Sequence, residues 1–169
     1  MIIWIIGLSG SGKTTLATEV IKQCRKDKKK VILLDGDEVR DLFQNDADHS
    51  LKGRKVNADR ICRLCKFLDS QNIDVVCAIL SVFKESREWC RMNLSSYYEV
   101  YIETPMDILR KRDPKKIYSS YFQGEISNVA GLDLNFEVPE KADLHIINNQ
   151  RIDHLLSYSK TISRKIKDD

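Results

Sequence analysis

Gly7-Leu8-Ser9-Gly10-Ser11-Gly12-Lys13-Thr14 satisfies the pattern G-x-x-x-x-G-K-[ST] at each fixed position. Its flanks fit as well. Met1-Ile2-Ile3-Trp4-Ile5-Ile6 is a short apolar run with the character of a buried strand. From Thr15 to Arg25, Leu16, Val20, Ile21 and Cys24 recur at helical spacing. Strand, glycine loop and helix together cradle phosphate: the glycines let successive backbone N–H groups turn inward, and the helix N-terminus adds partial positive charge. In that geometry Lys13 reaches the β- and γ-phosphates and the Thr14 hydroxyl sits on Mg²⁺. A chance glycine turn ahead of a helix is the bland alternative. The Lys-Thr pair and the preceding strand argue against it.

Outward from this loop the chain alternates apolar runs and helical patterns. Further strands are expected at Val31 to Leu34, Asp74 to Ile79, Tyr98 to Ile102 and Leu144 to Ile147. Helices are expected at Glu38 to Phe43, from about Arg54 to Ser70, at Glu85 to Asn93, at Met106 to Lys111 and at Ile152 to Lys165. Pro105 suits the first turn of the fourth of these. The expected fold is α/β: a three-layer phosphate-loop domain of the nucleotide-kinase kind, with a parallel sheet covered by helices on both faces. It is read as one domain over residues 1–169. Residues 112–140 carry Gly124, Gly131 and Pro114 and Pro139 without a clear period, and read as a lid that excludes water during phosphoryl transfer.

Composition narrows the partners. There are 28 basic and 25 acidic residues, a net charge of +3, too mild for a nucleic-acid footprint. Lys28 to Lys30 and Arg164-Lys165-Ile166-Lys167 read as solvated basic faces. Met1 to Ile6 is too short to span a bilayer or form a signal-peptide core, so no membrane partner and a cytoplasmic location are expected. The five cysteines are read as free thiols. Cys62-Arg63-Leu64-Cys65 has C-x-x-C spacing but lies within a helical pattern, with no second Cys or His pair after it.

The second strand runs into Leu34-Asp35-Gly36-Asp37, with Arg40 three residues on. In an open parallel sheet, sites form beyond the carboxyl ends of the strands. There, one carboxylate can hold Mg²⁺ through water and the other can orient an acceptor hydroxyl and take its proton. Arg40, Arg54, Asn57 and Arg60 come next; Arg54, Asn57 and Ile61 share one helix face. They suit an anionic substrate, or equally a solvated basic face. Ser81, Phe83, Lys84 and Arg87 stand in the third loop. Arg110, Arg112, Lys115 and Lys116 stand on or beside the lid, where cations can neutralise a transferring phosphoryl group.

On these motifs the chain resembles the adenylylsulfate kinases. The resemblance rests on residues 7–17, on Leu34-Asp35-Gly36-Asp37-Glu38-Val39-Arg40 and on Arg54-Lys55-Val56-Asn57. Most specific are Arg112-Asp113-Pro114-Lys115-Lys116-Ile117-Tyr118, then Gly124-Glu125-Ile126 and Gly131-Leu132-Asp133. It implies ATP with Mg²⁺ as donor and a nucleotide ribose 3′-hydroxyl as acceptor. ATP would lie on Gly7, Leu8, Ser9, Gly10, Ser11, Gly12, Lys13, Thr14, Thr15 and Arg112. Lys13, Asp35, Asp37 and Ser81 would be catalytic, with Thr14 and Asp35 at the metal. Asp37, Arg40, His49, Arg54, Asn57, Ser81, Lys115 and Val129 would hold the acceptor. Ser81 matches a serine sometimes described as a phosphoserine, although direct in-line transfer needs no such intermediate. A homodimer is also implied.

Two departures bear on the acceptor. Members of that family sandwich adenine between two phenylalanines; here the matching positions are His49 and Val129. Ser81-Val82 replaces a serine-proline pair. Phosphoryl-transfer residues are kept while the base pocket differs. This pattern resembles the branch that acts on cytidine diphosphoramidate for capsular polysaccharide decoration, with adenylylsulfate as the alternative acceptor. A nucleotide-binding switch protein is the reading from another class; the Asp-Gly-Asp turn, the lid residues and the lack of an N-K-x-D signature argue against it.

Overall fold

Ile2, Ile3, Trp4, Ile5 and Ile6 are each at most 1% exposed. A strand can bury every residue only when both faces are covered, and the run's β-branched residues favour the extended backbone. In the computed structural model, which describes residues 1–166, this strand is β1 (Ile2–Ile6). It lies at the centre of a five-stranded parallel sheet with β2 (Val31–Asp35), β3 (Asp74–Ile79), β4 (Tyr97–Glu103) and β5 (Leu144–Ile147), in the order β2-β3-β1-β4-β5. Trp4 stands opposite Cys77 of β3 and Glu99 of β4.

Alternate residues feed two cores. Ile3 and Ile5 meet α1 (Lys13–Lys26), α7 (Ile152–Ser157) and α8 (Ser159–Ser163) through Leu16, Val20, Leu155 and Ile162. Ile2, Trp4 and Ile6 meet α2 (Gly36–Leu42), α3 (Leu51–Ser70) and α4 (Lys84–Asn93) through Val39, Ile61, Cys65 and Cys90. The three-layer α/β expectation holds. A third, smaller cluster joins α5 (Met106–Arg112) and α6 (Ile117–Phe122) through Leu109, Tyr118 and Val129, with Leu8 packed on it. β1 is flanked by β3 on one side and β4 on the other, so its carboxyl end is the switch point where a ligand crevice opens.

Several expectations need correction. The third helix starts at Leu51 rather than near Arg54, because the Ser50 hydroxyl caps it by accepting from the Gly53 N–H at 3.1 Å. Pro105 stands at the N-cap of α5, one place before the first turn. The expected final helix is two: the backbone tightens where the Tyr158 N–H donates to the Leu155 carbonyl three residues back (3.3 Å). Residues 112–140 are not without structure. They contain α6, whose first turn is held by Asp113, the carboxylate accepting from the N–H groups of Tyr118 (3.1 Å) and Ser119 (2.8 Å). The C-x-x-C cysteines turn to different partners, Cys62 to Cys90 (3.8 Å) and Cys65 to Cys77 (3.4 Å), and all five cysteines are free and buried. Among the basic residues expected at the surface, Lys28, Lys30, Arg164 and Lys165 are exposed, while Lys167 lies outside the described residues. Among the described residues no helix is long and apolar enough to cross a membrane.

Candidate active site

At the carboxyl end of the sheet is a cavity of about 810 Å³, walled by the phosphate loop, α2, α3, the loop after β3 and the lid. Gly10 and Gly12 lie at φ +77 and +97, the left-handed region that turns the loop's N–H groups inward. Gly12 precedes α1, whose N-terminus has no side-chain cap. Lys13 Nζ donates to the Leu8 carbonyl at 2.8 Å. Burial pulls this lysine down to about 8, against the opposing charges of Asp35 and Asp37.

β2 delivers Asp35 to the same place. Asp35 is 8% exposed, and its Oδ2 accepts from Thr14 Oγ1 at 2.7 Å. Its Oδ1 accepts from the Asp37 N–H at 2.9 Å, which caps α2. Both oxygens of Asp35 are therefore engaged. Asp37, two residues on, is exposed, and its carboxylate pairs with Lys115 from the lid. Burial raises the Asp37 carboxyl, but the hydrogen bond and charge of Lys115, with Lys13 and His49 behind them, outweigh it and the net shift is downward.

The other wall is built by α3 and the segment before it. Arg40 is buried and donates to the carbonyls of Ala47 and Asp48, the latter at 2.8 Å. Arg54 Nε donates to the His49 carbonyl and Nη2 to the Asn128 carbonyl, each at 2.9 Å. One guanidinium thus ties the segment before α3 to the lid. Asn57 Nδ2 donates to the Gly36 carbonyl at 3.0 Å, while its Oδ1 is unpaired, and the residue lines the cavity. His49 is exposed at the rim; burial, then the charges of Arg40 and Arg54, lower its imidazole against Asp37 and Asp48. Val129, from the lid, is 4% exposed, its N–H held by Asp133 Oδ1 at 2.6 Å.

Of the residues that the sequence assigned to ATP, metal, catalysis or acceptor, fifteen line this one cavity: Ser9, Gly10, Gly12, Lys13, Thr14, Thr15, Asp35, Asp37, Arg40, His49, Arg54, Asn57, Ser81, Lys115 and Val129. Gly7, Leu8, Ser11 and Arg112 do not; they frame it. A Cβ on Gly7 would meet the Ile102 carbonyl at 2.7 Å. The Ser11 carbonyl accepts from Asn148 Nδ2 at 2.8 Å, and Arg112 Nη1 reaches the Gly10 carbonyl at 3.4 Å from the exposed side. Arg60 stands apart, paired with both oxygens of Asp46 at 2.6 and 2.7 Å. Lys84 and Arg110 lie outside the cavity as well, Arg110 over the Phe122 ring at 4.2 Å. Trp4, Ser86, Phe83 and Tyr118 also line the cavity. Tyr118 donates to the Ser9 carbonyl at 2.9 Å and so fixes the lid to the loop.

The chain is similar along its length to known kinases. The family model for adenylylsulphate kinase matches residues 1–147. The cytidine diphosphoramidate kinase of Campylobacter jejuni is 38% identical over 98% of this chain and 95% of its own. The adenylyl-sulfate kinase of Buchnera aphidicola is 33% identical over 96% of this chain and 82% of its own. Among solved structures, the Mycobacterium tuberculosis APS kinase in complex with AMPPNP and APS superposes with a TM-score of 0.86 at 26% identity, covering 95% of this chain and 94% of that one. With the motif residues gathered in one cavity, these similarities establish a phosphotransferase of the nucleotide-kinase type, and the chain belongs to the adenylylsulphate kinase family.

Proposed function

We propose that this chain transfers the γ-phosphoryl group of ATP to the ribose 3′-hydroxyl of cytidine diphosphoramidate, in the cytoplasm, for decoration of capsular polysaccharide. The observation that carries this reading is the base wall. Where the family resemblance implies two phenylalanines around adenine, this chain has His49 and Val129, both lining the cavity. Base–aromatic stacking contributes roughly 1–3 kcal/mol per base, so a wall without either ring favours a smaller base held by polar contacts. The relative named for this substrate supports the same choice. Adenylylsulfate is the second reading, supported by the solved relative that holds APS in the same fold.

In this reading the loop residues 7–15 and Lys13 hold the triphosphate. Asp37 takes the acceptor proton through Oδ1: both oxygens of Asp35 are engaged, whereas the Lys115 pair of the exposed Asp37 is made by Oδ2. Thr14 and Asp35 fit Mg²⁺: a hydroxyl and a carboxylate in contact at 2.7 Å are hard oxygen donors, and Mg²⁺ takes few protein ligands beside phosphate and water. When bound, Mg²⁺ neutralises charge on the β- and γ-oxygens. Arg40, Arg54, Asn57 and Lys115 supply charge and hydrogen bonds to an anionic acceptor.

The test is kcat/KM with each acceptor in a coupled assay. At least a tenfold preference for cytidine diphosphoramidate is expected, and a preference for adenylylsulfate would overturn the choice. His49→Phe should shift the ratio toward adenylylsulfate by about tenfold, as one stacking face is restored. An unchanged ratio would mean that this wall does not touch the base.

A further inference from the structure

The carbonyls of Leu8, Ser9, Gly10 and Ser11, consecutive along the phosphate loop, each accept from a side chain of a different element. Lys13 of α1 donates to Leu8 at 2.8 Å and Tyr118 of α6 to Ser9 at 2.9 Å. Arg112 of α5 donates to Gly10 at 3.4 Å, and Asn148, just beyond β5, donates to Ser11 at 2.8 Å. In a trans peptide the C=O and the next N–H point in opposite directions. A carbonyl held on one side therefore fixes the following N–H on the other. Lys13 and Tyr118 line the cavity and Arg112 is exposed, so ligand or water competes for each of their bonds. Asn148 differs: it is 1% exposed, lies outside the cavity and donates through a buried bond. The backbone holds it in place. Its N–H donates to the Glu103 carbonyl at 2.7 Å, carrying the pairing of β4 and β5 one residue past Ile147. From there the side chain reaches across the end of β4 to the loop that follows β1. Gly12 makes the room: a Cβ there would lie 3.3 Å from Asn148 Nδ2 and 2.6 Å from Leu155 Cδ2.

We propose that Asn148 is a positioning residue for phosphoryl transfer: by holding the Ser11 carbonyl away from the cavity, it aims the Gly12 N–H at the triphosphate. Gly12 lines the cavity and Ser11 does not, as this orientation requires. The bond exists before any ligand arrives. The N–H therefore needs no reorganisation as charge builds on the phosphate oxygens, which is what makes a fixed dipole effective there. Among the described residues the Asn148 Oδ1 is unpaired, so the side chain caps no turn of the following α7, and its amide serves the loop. The inference rests on the proposed placement of the triphosphate in this loop, and not on the identity of the acceptor.

The experiment uses inorganic tripolyphosphate with Mg²⁺, a ligand that has the phosphates of ATP and neither base nor sugar. Its Kd is measured by calorimetry on wild type, Asn148→Leu, Asn148→Ser and Lys13→Ala. KM for ATP and for the acceptor is measured on the first three. Leucine keeps the shape of asparagine without a donor; serine stays polar but is too short to reach the Ser11 carbonyl, and serves if the leucine variant does not fold. In either variant the tripolyphosphate Kd and the ATP KM should rise about tenfold, the worth of a hydrogen bond to a charged group, while the acceptor KM stays within about threefold. Equal rises in both KM values would mean a general loosening of the fold and overturn the inference. A loss for ATP without a loss for tripolyphosphate would assign Asn148 to the base or sugar and overturn it too. Unchanged tripolyphosphate binding in the Asn148 variants, with Lys13→Ala weakened, overturns the inference and leaves the triphosphate site standing. If Lys13→Ala binds tripolyphosphate as wild type does, the loop is not the triphosphate site, and the functional reading falls together with the inference.

Discussion

Lys13→Ala is expected to lower kcat about a thousandfold or more, with the fold intact by circular dichroism. Removing one neutral donor from a developing oxyanion costs about 10²–10³ in rate, and here a full charge is lost. The residue is half-buried on the first turn of α1, so truncation opens no core and the loss is chemical. A pH profile gives a second check. Burial brings Lys13 down to about 8. The ammonium form is the one that attracts the triphosphate, so kcat/KM for ATP should fall as pH rises through that value, since this ratio reports the free enzyme. Near-normal turnover in the alanine variant, or a flat profile across that range, would remove Lys13 from the mechanism.

Asp37→Asn should lower kcat by about 10²–10³ while KM for ATP stays within about threefold. The substitution keeps shape and leaves the backbone contact to Asp35 in place, because that bond is made by the Asp37 N–H. The losses are the proposed proton acceptor and the ion pair with Lys115. Steady-state kinetics with both substrates varied would separate the roles. Equal losses in kcat/KM and in ATP affinity would assign Asp37 to binding instead.

The sheet and the phosphate side were legible because their signals are local. An apolar run that stays apolar on both faces can only be an inner strand, and the glycine loop fixes the start of the helix after it. The start of α3 was less legible, because Ser50 caps without an acidic or amide partner three residues on, where Gly53 stands. The lid helix α6 was hidden by Pro114 and by Lys116 at φ +54; its cap comes from Asp113, further back than local patterns reach. Arg60 looked like a neighbour of Arg54, yet six residues carry a helix about 240° round, to another face. Asn148 carried no readable signal. An asparagine beside another at the end of a strand reads as a turn, and its tie to Ser11, 137 residues back, is a property of the assembled fold.

Arg54 joins the His49 and Asn128 carbonyls with one planar group. If His49 and Val129 flank the base as proposed, they are not independent jaws, because one guanidinium ties the backbone at His49 to the backbone beside Val129. Replacing either flank alone leaves that tie in place, so paired substitutions at His49 and Val129 should deviate from the sum of their separate effects. On the proposed reading, acceptor choice is then a matter of spacing as much as of surface, and Arg54→Lys, which loses the planar link, should alter it without touching either flank.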